Sequence, residues 1–180
     1  MNTKEILGLI IRYLIAIILG LGIGLIYKIL TPLTVYPIYF ILKELNGAVL
    51  IGESRIFWRG VFLDIVPACV AGSAYYLLLL LNLITPMKLS NRLMNIIFLI
   101  ISFFIINLIR IFILIYFYSL GIRYFDLAHK FMWYFGSTAA VIILWFIGIW
   151  IFQIKNIPIY GDIKNILKLK SENATRIYKG

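Results

Sequence analysis

A chain of 180 residues that is 63% hydrophobic and 13% charged, with a mean hydropathy of +1.03, is too poor in charge for a water-soluble domain, where about a quarter of residues are charged. Its apolar runs approach or exceed the roughly 18–20 residues that cross about 30 Å of hydrocarbon, which predicts an all-α, multi-pass transmembrane bundle of about four spans. The cations behind the net charge of +10 flank apolar segments rather than lining a stripe of exposed aromatics, which argues for membrane topology and against nucleic acid.

Residues 1–30 carry the first expected span, Ile6 to Tyr27. It is long, lacks a small-x-small cleavage site and contains Arg12, so no cleavable leader is expected. Residues 31–66 read as an extracytoplasmic cap, since Pro32, Pro37 and several charges disfavour a span there. The cap should hold a short interfacial helix, a break at Asn46 and Gly47, and a strand-like hairpin. Its two pieces are Ala48 to Ile51 and Ile56 to Val66, joined at Gly52 to Ser54.

Residues 67–152 make a three-span core. Pro67 opens the second span and Pro86 closes it just after Thr85; the third runs from Leu93 to Tyr118 and the fourth from Phe131 to Phe152. Residues 153–180 form a basic tail in which Ile159, Ile163, Ile166 and Leu167 mark one face of an amphipathic helix. No repeat or linker divides the chain into domains.

Two of the 17 Lys and Arg, Arg12 and Arg110, fall inside spans. Of the others, Lys4, Lys88, Arg92 and six tail residues share one side, against Lys28, Lys43, Arg55, Arg59, Arg123 and Lys130 on the other. The excess of positive charge places both termini in the cytoplasm. Asn173 to Thr175 match a glycosylation sequon, but on the cytoplasmic side.

Three residues with useful chemistry fall at one depth. Cys69, the only cysteine, precedes Thr85 by 16 residues, about 24 Å of helix, and Arg110 follows Leu93 by 17, about 26 Å. His129, the only histidine, opens the fourth span near the same outer boundary. Each also has an ordinary reading: a small packing residue, a snorkelling arginine and an interfacial histidine. One Cys and one His are too few for a metal site, and no cofactor is expected. A thiol ionises near pH 8.5 in water, so a nucleophilic Cys69 calls for a neighbouring cation, which Arg110 or protonated His129 would supply. His129 suits a general acid and base, and Arg110 the stabilisation of an oxyanion or substrate carbonyl. Asn107 shares a helical face with Arg110 and would hold the guanidinium; Asp126 precedes His129 by three residues and would orient the imidazole.

"PACVAG" opening a span, "NLIRI" in the next and a histidine at the head of the last resemble the exosortase and archaeosortase family of membrane cysteine transpeptidases. The likeness covers Thr31 to Phe152, and the short chain favours the archaeal branch. Many members read Cys-Ser-Gly or Cys-Thr-Gly, whereas here Gly72 comes one position later. The resemblance implies a thiol endopeptidase with Cys69 as nucleophile and Arg110 and His129 beside it. Its partners would be the C-terminal sorting signals of secreted or surface proteins: a short motif, a transmembrane helix and a basic cluster. The new carboxyl end would pass to a membrane-linked acceptor, in the archaeal branch a lipid. The competing expectation is a non-catalytic transporter component or assembly subunit, in which Cys69 would be dispensable.

Overall fold

The computed structural model describes residues 3–121 and 125–154. The expected amphipathic tail helix, Arg123 and the sequon lie outside the described residues. Helix α1 covers Thr3–Leu21 and α2 Ile23–Asn46. Strands β1 (Val49–Ile51), β2 (Arg55–Trp58) and β3 (Val61–Asp64) follow as an antiparallel sheet in the order β1-β2-β3. A one-turn helix α3 (Pro67–Val70) precedes α4 (Gly72–Ile84) and the long α5 (Leu89–Ser119). Helix α6 (Phe125–Phe131), a π-helical turn (Met132–Gly136) and α7 (Ser137–Ile151) run on as one rod.

Among the described residues, four helical stretches are long and apolar enough to cross a membrane: Ile23–Leu45, Pro67–Ile84, Leu89–Ser119 and Phe125–Ile151. The N-terminal part departs from the sequence expectation. The first helix breaks at Gly22 rather than continuing to Tyr27, and the supposed interfacial helix is the second half of α2, which passes through Pro32 and Pro37. An interior proline costs about 3 kcal/mol. Here Val35, Ile38 and Leu42, 1%, 0% and 2% exposed, pack on Ile56, Trp58, Leu63 and Val70, and each buried aliphatic side chain returns about 1.5–3 kcal/mol. The packed face therefore holds the helix through both prolines. It ends where the sequence signalled, at Gly47, whose φ of 67° gives a left-handed cap with its N–H donating to the Lys43 carbonyl.

The second strand-like piece is two strands. Arg59 and Gly60 have φ of 48° and 79°, and Trp58 pairs with Val61 across them. Two positive φ values in a two-residue loop match the right-handed twist of the flanking strands, so "RG" folds the segment back on itself.

Helix α5 is built inside out relative to a soluble helix. Ile97, Ile101, Ile105 and Ile109 form an exposed ridge four residues apart, while Asn95, Leu99, Phe103, Asn107 and Arg110 are buried. The edge-to-face pair of Tyr75 and Phe103, with centroids 4.9 Å apart, anchors α4 to α5, and Val141 and Leu144 of α7 complete that core.

Hydrogen bonds define the two ends of the bundle. Arg12 Nη1 donates to the Ile84 carbonyl at 3.4 Å, and Asn91 Nδ2 to the Phe152 carbonyl at 3.5 Å, which ties the middle of α1 to the end of α4 and the start of α5 to the end of α7. At the opposite end Tyr27 packs on Gly72, where a Cβ would lie 2.8 Å from the ring. Between them Tyr76 Oη donates to the Ala16 carbonyl at 3.1 Å. Thus α1 and the first turn of α2 flank α4 along its whole length.

Helices α5 and α7 meet where Gly148 lets Asn95 approach: a Cβ there would overlap the Asn95 side-chain oxygen. Replacing Gly148 by alanine is expected to cost about 1–3 kcal/mol, read as a lower melting temperature in detergent. Adding Asn95→Ala should recover most of the loss; a fully additive double variant would show that the crowding lies elsewhere.

Candidate functional site

The site grows from one backbone irregularity. Pro67 suits a first helical turn because it has no main-chain donor to waste, and it opens α3. The expected continuous span from Pro67 to Thr85 is then interrupted at Ala71, which takes a left-handed conformation (φ 57°, ψ 35°). For a residue with a Cβ this costs about 1–2 kcal/mol. In an unbroken helix the carbonyls of Ala68 and Cys69 would accept from residues 72 and 73. Instead the N–H of Ser73 donates to Tyr27 Oη at 3.3 Å, and both carbonyls are left for other donors.

Those donors come from the buried stripe of α5. Asn107 Nδ2 donates to the Cys69 carbonyl at 2.9 Å. Arg110 Nη2 donates to the carbonyls of Ala68 and Cys69, each at 3.2 Å, and Nη1 donates to Ser137 Oγ. Arg110 is 8% exposed and Asn107 2%, so both bonds are made away from water, where leaving either group unmade would be expensive. Among the described residues Arg110 has only neutral partners, and its Nε has none. Asn107 was expected to hold the guanidinium; it shares a carbonyl with it instead, because the Ala71 break exposes that oxygen to both.

Cys69 and His129 line one cavity of about 280 Å³, bounded by β3 and the residues after it, the outer part of α5 (Ile111, Leu114, Ile115, Tyr118) and α6. His129 lies within α6, whose helix begins at Phe125 rather than Phe131, and stacks on Phe125 with the rings 5.8 Å apart and 18° from parallel. Asp126 is exposed and makes no hydrogen bond to His129 among the described residues, so the aromatic stack is the contact seen to orient the imidazole. Arg110 does not line this cavity; it grips the cysteine by its backbone. A second hollow of about 190 Å³ lies beside Ala71, Ser73, Trp133, Ser137 and Thr138.

Three contributors are not legible as site residues in the sequence. Ser137, in "GSTAA", reads as helix packing, and Tyr27 as the end of a span. Asp64, which also lines the main cavity, reads as a cap charge. The one available signal is Gly72 directly after Ala71, a glycine at a point where the chain turns out of a helix.

Comparison with known protein families, curated proteins and solved structures finds no match to this chain. The chemistry of the site therefore rests on its own geometry. That geometry offers a thiol and an imidazole on one apolar hollow, with a buried cation holding the peptide unit of the thiol's own residue.

Asp64 pairs with Arg55 through Oδ1 and Oδ2 at 2.5 and 3.1 Å, and the hydrogen bond from Arg55 holds its carboxyl below the usual range. A depressed carboxyl stabilises the fold above its ordinary value near 3.9 and loses that contribution as pH falls through the folded value. Amide protection in the β2–β3 hairpin, corrected for intrinsic exchange, should therefore be flat between about pH 5 and 8 and drop below about pH 4. Asp64→Asn should remove the drop; identical profiles in the two proteins would deny the pair any part in it.

Proposed function

We propose that the chain is a membrane-embedded cysteine transpeptidase of the exosortase and archaeosortase kind, which cuts C-terminal sorting signals and passes the new carboxyl end to a membrane-linked acceptor. The observation that carries the reading is the cavity shared by Cys69 and His129, with Arg110 fixed to the Cys69 carbonyl. The apolar outer ridge of α5, with its polar residues turned inward, supports a lipid environment.

The crossings in this reading are α1 with the first turn of α2, then α4, α5 and the α6–α7 rod. Packing favours α1 over the hydropathy choice of Ile23–Leu45, since residues 12–27 flank α4 from Ile84 to Gly72. The end holding Arg12, Lys88 and Arg92 is cytoplasmic by the bias of positive charge. The sheet and the rest of α2 then form an extracytoplasmic cap, and the cavity opens where headgroups begin.

Cys69 Sγ attacks the scissile carbonyl, its proton passing to His129. The tetrahedral intermediate collapses to a thioester as His129 protonates the departing amine of the membrane helix. An acceptor hydroxyl or amine then enters, gives its proton to His129 and displaces the thiol, so the acyl group leaves on the acceptor and Cys69 is regenerated. Arg110 acts first as a positioning residue, pinning α3 so that the sulfur faces the cavity. Its charge, met only by neutral partners, also favours the negative charge that develops near Cys69 in a poorly screened site. Restricted water access favours transfer over hydrolysis.

In the native host, Cys69→Ala should leave surface proteins with their C-terminal membrane helices uncut, seen by mass spectrometry of C-terminal peptides; unchanged tails would sink the proposal and favour a structural subunit. Arg110→Lys should lower processing at least tenfold, since a single ammonium cannot span two carbonyls and a serine hydroxyl. Full processing by Arg110→Lys would remove both of its roles.

A further inference from the structure

Strand β3 is an edge. Among the described residues the sheet order β1-β2-β3 leaves one of its sides without a strand, and the ladder register says which groups face that side. Ile65 N–H donates to the Ser54 carbonyl at 2.8 Å, and Leu63 pairs with Ile56, and Val61 with Trp58, in the same phase. Antiparallel ladders alternate bonded and non-bonded pairs, so the N–H and C=O of Phe62 and Asp64 point away from β2. No main-chain hydrogen bond reaches them among the described residues.

The cavity beside Cys69 lies along this edge. Phe62, Leu63, Asp64, Ile65 and Val66 all line it. Phe62 to Asp64 belong to β3, and Ile65 and Val66 carry the lining on toward α3; a strand's face offers every second residue, so three strand residues in succession put the hollow beside the strand's open edge. Three residues after Val66 comes Cys69 itself, with His129 on the same hollow. An unpaired strand edge binds another extended chain in its own plane.

The geometry points to β3 as a recognition rail on which a peptide binds as a fourth strand, bonded to the main-chain groups of Phe62 and Asp64, with its carbonyl delivered to Cys69. Main-chain pairing supplies affinity and the apolar wall of α5 and α6 supplies pockets for alternate side chains. The inference rests on the proposed transpeptidase for the identity of the peptide, the motif ahead of a client's membrane helix. Because β3 runs toward α3 and such a client runs from the aqueous side into the bilayer, the added strand is parallel to β3.

The test uses the full chain in detergent and a tetra-alanyl chloromethyl ketone, whose methylene carbon bonds to Cys69 Sγ as chloride leaves. Proline is tolerated on strand edges because its missing donor faces outward. Phe62→Pro deletes one rail donor, while Phe62→Ala keeps it and matches the loss of the ring. The peptidyl reagent should alkylate Phe62→Pro about tenfold more slowly than Phe62→Ala, while iodoacetamide, which makes no strand pairing, alkylates the two at equal rates. Equal peptidyl rates would overturn the rail. If Phe62→Pro does not fold, the unaltered chain decides alone: N-methylation of the reagent in one alternate register should slow it about tenfold and in the other should not, and indifference to both registers overturns the inference. Register-dependent alkylation with client tails still trimmed by Cys69→Ala would retire the transpeptidase and keep the rail.

Discussion

The left-handed turn at Ala71 is the constraint from which the site follows. It separates a one-turn helix bearing Cys69 from the longer α4, and in doing so opens two carbonyls that a continuous helix would have closed. A bare carbonyl inside an apolar bundle costs several kcal/mol. Asn107 and Arg110 answer that cost from α5, and Tyr27 accepts from the N–H of Ser73 on the far side of the break. Helix α5 is thereby tied to the backbone of Ala68 and Cys69 on one side of the break and α2 to that of Ser73 on the other, and Ser137 of α7 joins through Arg110.

The same bonds explain how a guanidinium is kept in so apolar a setting. A buried charge with no partner would be prohibitive, yet hydrogen bonds from a cation to neutral acceptors are worth about 1.5–3 kcal/mol each. Arg110 makes three such bonds and leaves its charge uncancelled by any carboxylate among the described residues. Glu44, Glu53, Asp64 and Asp126 are exposed, and Asp64 is committed to Arg55 at the surface. Fold stability and electrostatic bias toward an anion are thus obtained from one side chain.

Much of this was legible from the chain alone. The long apolar segments of α5 and the α6–α7 rod were plain, because their runs are uninterrupted. The equal depth of Cys69 and Arg110 followed from counting residues along two antiparallel helices, and the structure joins them through the Cys69 carbonyl. What stayed hidden depends on packing. Pro32 and Pro37 read as breakers, since nothing local tells that Val35, Ile38 and Leu42 will be wholly covered. The turn at Arg59 and Gly60 was masked by the strand-favouring Ile56, Phe57, Trp58, Val61 and Phe62 on either side of it. Ser137 could not be picked out among small residues, and Asp126, well spaced from His129, proved to face solvent.

The π-helical turn Met132–Gly136 gives the last rod an unusual division of labour. A π turn winds more residues into each revolution than an α turn, so the stretches on either side of it are offset in phase about a common axis. His129 is presented to the hollow beside Cys69, and Ser137 and Thr138 to the hollow beside Ser73. A regular α-helix advances about 100° per residue, so trimming a single residue from this turn would swing one set of side chains a quarter-circle out of alignment while leaving the other in place. Two chemically different chambers are kept in step by one surplus residue in a single shaft.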